Sequence, residues 1–341
     1  MISTFSRGGA NLTKMTRWVT LVAAMWCASS VFGQGPPQST ELRVSGSRVL
    51  SVSTFAAFDR AQCDAGGNLY YRPVAGNLND SNTVVRIDTH TETTMTYGLP
   101  SELNGKAPLM DFSVTPSGRV WFLNQLPSIE YIVLGLGADG TVGSRIPLLT
   151  PDKMFPTAFK VADDGIILVA GYYVESAPKK LQGMPYLALF DQDGNLRKTL
   201  GSPDLDTIDL AAAAKGPTDA GIASGSDGNF YIVQRDRILV ISEWGSVAGH
   251  LTFGKPDEGL IAQRLLYGDG FLSLELDAIG QDRAVHPEFL VLYSATGATY
   301  AWYKPSEDLV KSNPACFYGR SGYLFTAADH RKFKLLSVPL R

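Results

Sequence analysis

The stretch from Gly216 to Gly259, GPTDAGIASGSDGNFYIVQRDRILVISEWGSVAGHLTFGKPDEG, constrains the fold more than any other part of the chain. It reads as one four-strand unit: apolar runs at residues 221–224, 229–233, 237–241 and 246–253, broken by Asp227-Gly228, a polar loop and Gly245. Such breaks suit antiparallel hairpins, because tight turns need positive φ and Gly, Asn and Asp adopt it at little cost.

Weaker copies fill the chain. A Pro followed closely by an acid recurs at Pro100, Pro151, Pro203, Pro256 and Pro305, with 49 to 53 residues between successive prolines. A glycine leading into a hydrophobic strand recurs as Gly67-Asn68-Leu69-Tyr70, Gly118-Arg119-Val120-Trp121, Gly165-Ile166-Ile167-Leu168, Gly228-Asn229-Phe230-Tyr231, Gly270-Phe271-Leu272-Ser273 and Gly322-Tyr323-Leu324-Phe325. A period near 50 with four strands per repeat is the signature of a β-propeller, and six copies imply six blades. The expectation is an all-β, six-bladed propeller of four-stranded antiparallel blades.

The two ends of the chain complete the ring. Residues 1–33 read as a signal peptide: Lys14 and Arg17 precede an apolar run at residues 18–28, and Val31-Phe32-Gly33 offers a cleavage site before Gln34. Met15 provides an alternative start that gives a signal of ordinary length. Residues 34–40 form a flexible lead, and residues 41–341 form one propeller domain. The last repeat has sequence for only three strands, so residues 41–52, a strand pair or one long strand, supply its missing outer strand and close the ring. Location in the periplasm or outside the cell follows from the signal.

Without residues 1–33 the chain loses Arg7, Lys14 and Arg17, leaving 27 basic against 33 acidic residues. That balance, spread without blocks, argues against nucleic acid or an anionic membrane surface as partner. No segment after the signal approaches the ~20 apolar residues a spanning helix needs. A monomer is expected.

The Pro-acid junctions have a backbone explanation. Ser202-Pro203-Asp204, followed by residues 210–216 (LAAAAKG), carries a cap, an early acid and a Lys-Gly ending, which reads as a short helix. Residues 306–311 (SEDLVK) read as a shorter version. The aromatic residues Tyr70, Trp121, Tyr231 and Phe325 share one repeat position and read as a core layer between blades.

With these residues in view, GIASGSDGNFYIVQRDRILVISEWGSVAGHL, DFSVTPSGRVWFLNQ and FDQDGNL resemble the NHL-repeat proteins and, more broadly, six-bladed propellers of the SMP-30/gluconolactonase type. The resemblance implies architecture through an Asp-x-x-Gly-Asn-hydrophobic-Tyr pattern that is mostly turn and core chemistry. In the lactonase-like group it also implies a divalent metal held by a Glu from Glu-Gly-Pro-x-Trp, a mid-chain Asn and a late Asp. This chain has Gln62-Cys63-Asp64-Ala65 where that Glu motif belongs. Its four histidines, His90, His250, His286 and His330, form no closely spaced pair, and no nucleophile elbow or phosphate loop occurs. No cofactor or metal is expected.

Cys63 and Cys316 fall in the first and last repeats. They lie four and six residues before the repeat glycines Gly67 and Gly322, which points both to the same side of their blades, whereas neighbouring blades meet by opposite sides. Free buried thiols are therefore expected; a different turn length in the last repeat would reverse the parity and allow a disulfide.

In a propeller, the residues just after each second strand and just before each first strand line one mouth of the central channel. Here those after the second strand are Arg72, Asn124, Tyr172, Gln234, Arg235, Glu275, Asp329 and His330, and those before the first are Asp111, Thr157 and Asp219. Insertions at residues 172–184 and 277–287 would wall the same face. The expected function is a non-catalytic binding scaffold for a protein, a peptide or a small polar ligand. The alternative is a metal-dependent lactonase or hydrolase with a non-standard central site.

Overall fold

The computed structural model describes residues 38–51, 61–73, 82–128, 130–175, 183–200, 221–234, 237–252, 260–268, 270–279, 285–293, 299–310, 312–317, 322–329 and 332–340. These form β-strands and turns arranged as six antiparallel blades. Two short strands come first, β1 (Thr40–Leu42) and β2 (Gly46–Ser51). Blade one follows with β3 (Gln62–Cys63), β4 (Leu69–Tyr71), β5 (Thr83–Ile87) and β6 (Thr94–Gly98). Blade two holds β7 (Leu109–Val114), β8 (Val120–Gln125), β9 (Tyr131–Leu136) and β10 (Val142–Pro147).

Blade three holds β11 (Lys153–Val161), β12 (Ile167–Glu175), β13 (Pro185–Phe190) and β14 (Leu196–Leu200). Blade four, the guiding repeat, holds β15 (Ile222–Ser224), β16 (Phe230–Val233), β17 (Arg237–Ile241) and β18 (Val247–Thr252). Blade five holds β19 (Ile261–Gly268), β20 (Phe271–Ile279), β21 (Val285–Tyr293) and β22 (Thr299–Pro305). Blade six holds β23 (Asn313–Phe317), β24 (Gly322–Asp329) and β25 (Lys332–Pro339).

The N-terminal segment divides between two blades. β2 pairs antiparallel with β25 from Gly46↔Ser337 to Ser51↔Lys332, supplying the missing outer strand of blade six. β1 instead runs parallel to β22, on the outer edge of blade five. β25 and the end of β22 are thereby paired, and β1 and β2 become the outer edges of their sheets.

Period-two alternation builds the core. In blades one to five, the residue two after the repeat glycine packs against the preceding blade and the next residue packs against the following one. Val120 and Phe122 thus meet Tyr70 and Val84 of blade one, while Trp121 and Leu123 meet Phe159 and Ile167 of blade three. The same scheme joins blades three and four through Leu168, Leu189, Phe230 and Ile232, and blades four and five through Tyr231, Val233, Leu272 and Leu274. The repeat tyrosines are anchored by the turn: Tyr70 donates its hydroxyl to Asp64 Oδ2 at 2.8 Å, and Tyr231 to Asp227 Oδ2 at 2.7 Å.

Blade six breaks the register, and this corrects the expectation of free thiols. Gly322 already lies inside β24, paired with Pro339, so Tyr323, one residue after it, takes the position facing blade five beside Leu290 and Leu292. Leu324 then faces blade one, and its partner Cys316 turns with it past a bulge between Pro314 and Cys316. Cys63 and Cys316 form a disulfide with Cα atoms 5.5 Å apart. The one-residue offset supplies the parity reversal that bridging needs.

Residues 306–310 form turns, with the Leu309 N–H donating to the Ser306 carbonyl and the Ser312 N–H to Leu309, and no helix. A run this short cannot repay helix nucleation. The expected helix at residues 202–216 lies outside the described residues. Among the described residues, no helix is long and apolar enough to cross a membrane.

Candidate functional site

Three regions of the ring carry site-like chemistry. At the mouth formed by the starts of first strands and the ends of second strands, Arg72, Asp111 and Asn124 gather at the seam of blades one and two. Arg72 donates to the Met110 carbonyl at 3.4 Å, next to Asp111. Asp111 is buried, and its Oδ1 accepts the Phe112 N–H at 2.8 Å. Asn124, fully buried, donates from Nδ2 to the Ala107 carbonyl at 3.0 Å, and its Oδ1 has no hydrogen-bond partner. Gln234 is buried and donates to the Val233 carbonyl, while Thr157 donates to the Ala170 carbonyl. Asp111 and Thr157 lie at register shifts in β7 and β11, and Asn124 and Gln234 at or just past the ends of β8 and β16, where ladder hydrogen bonds are interrupted.

Glu275 sits at the seam of blades five and six, and two residues that the sequence reading did not single out complete its surroundings. Arg264, its cross-strand partner, places Nε 3.9 Å from Glu275 Oε2. Asp277, two residues on, shares its face and hydrogen-bonds to it. Burial pushes the Glu275 carboxyl up to about 8, Arg264 pulls against that, and the charge and hydrogen bond of Asp277 push it higher. Burial and the neighbouring Asp277 thus favour the protonated form of the Glu275–Asp277 pair. The alternation Leu274-Glu275-Leu276-Asp277 was the available signal, since period two puts both acids on one face.

Tyr172 lies in β12, register-paired with Phe155, and is half-buried. The segment beginning at Tyr172 starts as a strand and not as a loop, because β11 and β12 each run nine residues. Likewise residues 277–279 and 285–287 extend β20 and β21. The projecting end of the blade-three hairpin exposes Phe155 (44 %), Val174 (38 %) and Met184 (43 %). Met184 is held there by its carbonyl, which accepts the Tyr173 N–H. Asp329 ends β24, where its backbone pairs with Lys332. Asp219, Arg235 and His330 lie outside the described residues.

At the other end of the channel, where the turns between first and second strands gather, lies a cavity of about 300 Å³. Its wall includes Cys63, Cys316, Ser224, Ser226, Tyr267 and Phe317. A smaller chamber of about 50 Å³ continues along the inner strands past Gln62, Lys160, Ala223 and Ala315, and again touches both cysteines. Asp64 also lines the larger cavity, but its carboxylate is held by the Asn68 N–H, the Asn68 amide and the Tyr70 hydroxyl.

Where the lactonase resemblance implies a metal-binding Glu, this chain has Gln62-Cys63-Asp64-Ala65. Cys63 is in a disulfide and Asp64 is held by three donors, and no group of three or more metal-ligating side chains occurs among the described residues. No family model matches the sequence, and no curated protein matches it. Among solved structures, a gluconolactonase from Xanthomonas campestris superposes with a TM-score of 0.50 at 12 % identity, over 90 % of this chain and 99 % of that one. The likeness is one of architecture.

A calcium-binding protein, regucalcin, from Agrobacterium tumefaciens gives a TM-score of 0.49 at 13 % identity, over 89 % of this chain and 98 % of that one. YCF48 bound to D1 peptide gives 0.43 at 13 % identity, over 89 % and 98 %. The resemblance to gluconolactonase-type propellers holds for the six-bladed ring.

Proposed function

We propose that this propeller is an exported binding scaffold that presents its mouth face to a protein or peptide. The observation that carries this reading is the exposed apolar end of the blade-three hairpin, where Phe155, Val174 and Met184 are exposed and Tyr172, paired with Phe155, is half-buried. Large apolar side chains left exposed at one end of a strand pair are what an interaction surface offers a partner. The described mouth residues Asp111, Asn124 and Gln234 support it from below, since their hydrogen bonds to backbone groups hold the rim in shape. The signal sequence supports a periplasmic or extracellular location.

The test compares capture of envelope proteins by the wild-type ring and by a Phe155→Asp/Met184→Asp variant with an unchanged circular dichroism spectrum. Loss of the captured partner is the expected result. Equal capture by the folded variant overturns the assignment of this face.

The hydrogen-bonded Glu275–Asp277 pair favours a second reading, an enzyme of the lactonase or hydrolase type with a non-standard site, because a carboxyl that keeps its proton at neutral pH can act as a general acid. Lactone hydrolysis that disappears in Glu275→Gln would support it. A thermal shift with calcium or zinc, reversed by chelator, would point the same way, since a metal at 100 times its Kd adds about 2.7 kcal/mol.

A further inference from the structure

The Cys63–Cys316 bridge joins the inner strands β3 and β23 at the seam of blades one and six. Both cysteines are lining residues of the 300 Å³ cavity and also of the chamber that continues from it. Cys63 is half-buried and Cys316 is 6 % exposed. Disulfide exchange depends on access of a thiolate to sulfur, and here access is offered by a cavity at the lower end of the size range of small-ligand sites.

The seam does not depend on the bridge alone. Leu69, Tyr71, Val85 and Ile87 of blade one pack against Ala315, Leu324 and Leu335 of blade six. The last blade keeps its outer strand through the β2–β25 pairing. Breaking the S–S bond therefore leaves apolar packing and a complete blade on either side of it.

We propose that Cys63–Cys316 is a thiol-exchange site for small thiols, which reach it through the channel while the ring stays folded. A small thiolate attacks Cys63 Sγ, the S–S bond breaks, and Cys316 leaves as a thiolate that takes a proton from water. Cys63 then carries the thiol as a mixed disulfide. A second molecule of the same thiol attacks the added sulfur, releases the small disulfide and leaves Cys63 as a thiol. Two thiols are oxidised to one disulfide and one protein disulfide is reduced, so electrons and protons balance. The inference is independent of the partner-binding reading.

The experiment measures the reduction rate in native buffer with 2-mercaptoethanol and with a thiol coupled to dextran, each relative to its rate on the urea-denatured chain. Maleimide trapping and peptide mapping report Cys63 and Cys316 separately from Cys27. The expected result is a mercaptoethanol rate that rises linearly with thiol, is unaffected by low urea, and leaves the near-ultraviolet dichroism intact. The dextran-linked thiol should react about a hundredfold more slowly on this scale. Ser226→Trp, at the cavity wall, should slow mercaptoethanol on the folded ring and not on the denatured chain. A rate that saturates with thiol, or that climbs with urea in step with unfolding, overturns the proposal. Equal relative rates for the two reagents overturn the channel route.

Discussion

The sulfurs of Cys63 and Cys316 join the inner strands of the first and last blades across a sequence separation of 253 residues. The bond restrains the unfolded chain over nearly the whole propeller, while the folded seam beside it is already packed by Leu69, Tyr71 and Leu324.

Its removal should accordingly act on stability more than on architecture. Cys63→Ser/Cys316→Ser is expected to lose about 2–5 kcal/mol in denaturant unfolding, with an unchanged far-ultraviolet spectrum. A loss under about 1 kcal/mol would show that the packed seam alone sets closure.

Glu275 should give the protein a pH dependence of definite sign. Its folded pKa lies above the model-compound value of 4.5, at about 8. Across that window the folded state keeps a proton that the unfolded chain has released, so this group's contribution to stability falls as pH rises and levels off above the window. Urea midpoints at pH 5.5 and 8.5 should drop in the wild type, and Glu275→Gln should flatten that drop. An equal drop in the variant would place its origin elsewhere.

The tyrosine anchors should differ with burial. Tyr70 is 1 % exposed, and Asp64 is buried with it, whereas Asp227 beneath Tyr231 is exposed. Tyr70→Phe should cost about 2 kcal/mol, because it removes a donor from a buried carboxylate. Tyr231→Phe should cost about 1 kcal/mol, since water can replace the lost hydroxyl. Thermal midpoints of the two variants, measured side by side, decide the order.

The N-terminal strands should be indispensable. Deleting residues 40–51 removes the outer strand of blade six and the parallel cover of blade five. The truncated chain is expected to aggregate or to melt well below the wild type. Recovery of a soluble chain with the wild-type midpoint would show that β25 and β22 tolerate open edges.

The ring was readable because each repeat states it locally: a glycine turn, an alternating strand, and a Pro-acid junction. Gly322 shows where that reading fails. It resembles the other repeat glycines in sequence, yet it sits within β24, and this offset alone reverses the predicted orientation of Cys316. The parallel pairing of β1 with β22 likewise has no local signature, because the partner lies more than two hundred residues away. At the mouth, composition could place Asp111, Asn124 and Gln234 on the rim but not tell a rim contact from a side chain that satisfies the backbone. Glu275 became interpretable only with Arg264 across the strand and Asp277 two residues along.

The division of β2 from β23, β24 and β25 also sets an order in time. β2 is made before blade one, and its three companions are the last strands of the chain. During synthesis it must wait without its partner while residues 52–331 are made. Blades one to five can assemble from neighbouring hairpins, but blade six can form only by a contact between distant parts of the sequence, the kind that forms slowly. Until blade six is complete, Leu69 and Tyr71 of blade one and Leu290 and Leu292 of blade five lack the apolar neighbours that blade six supplies.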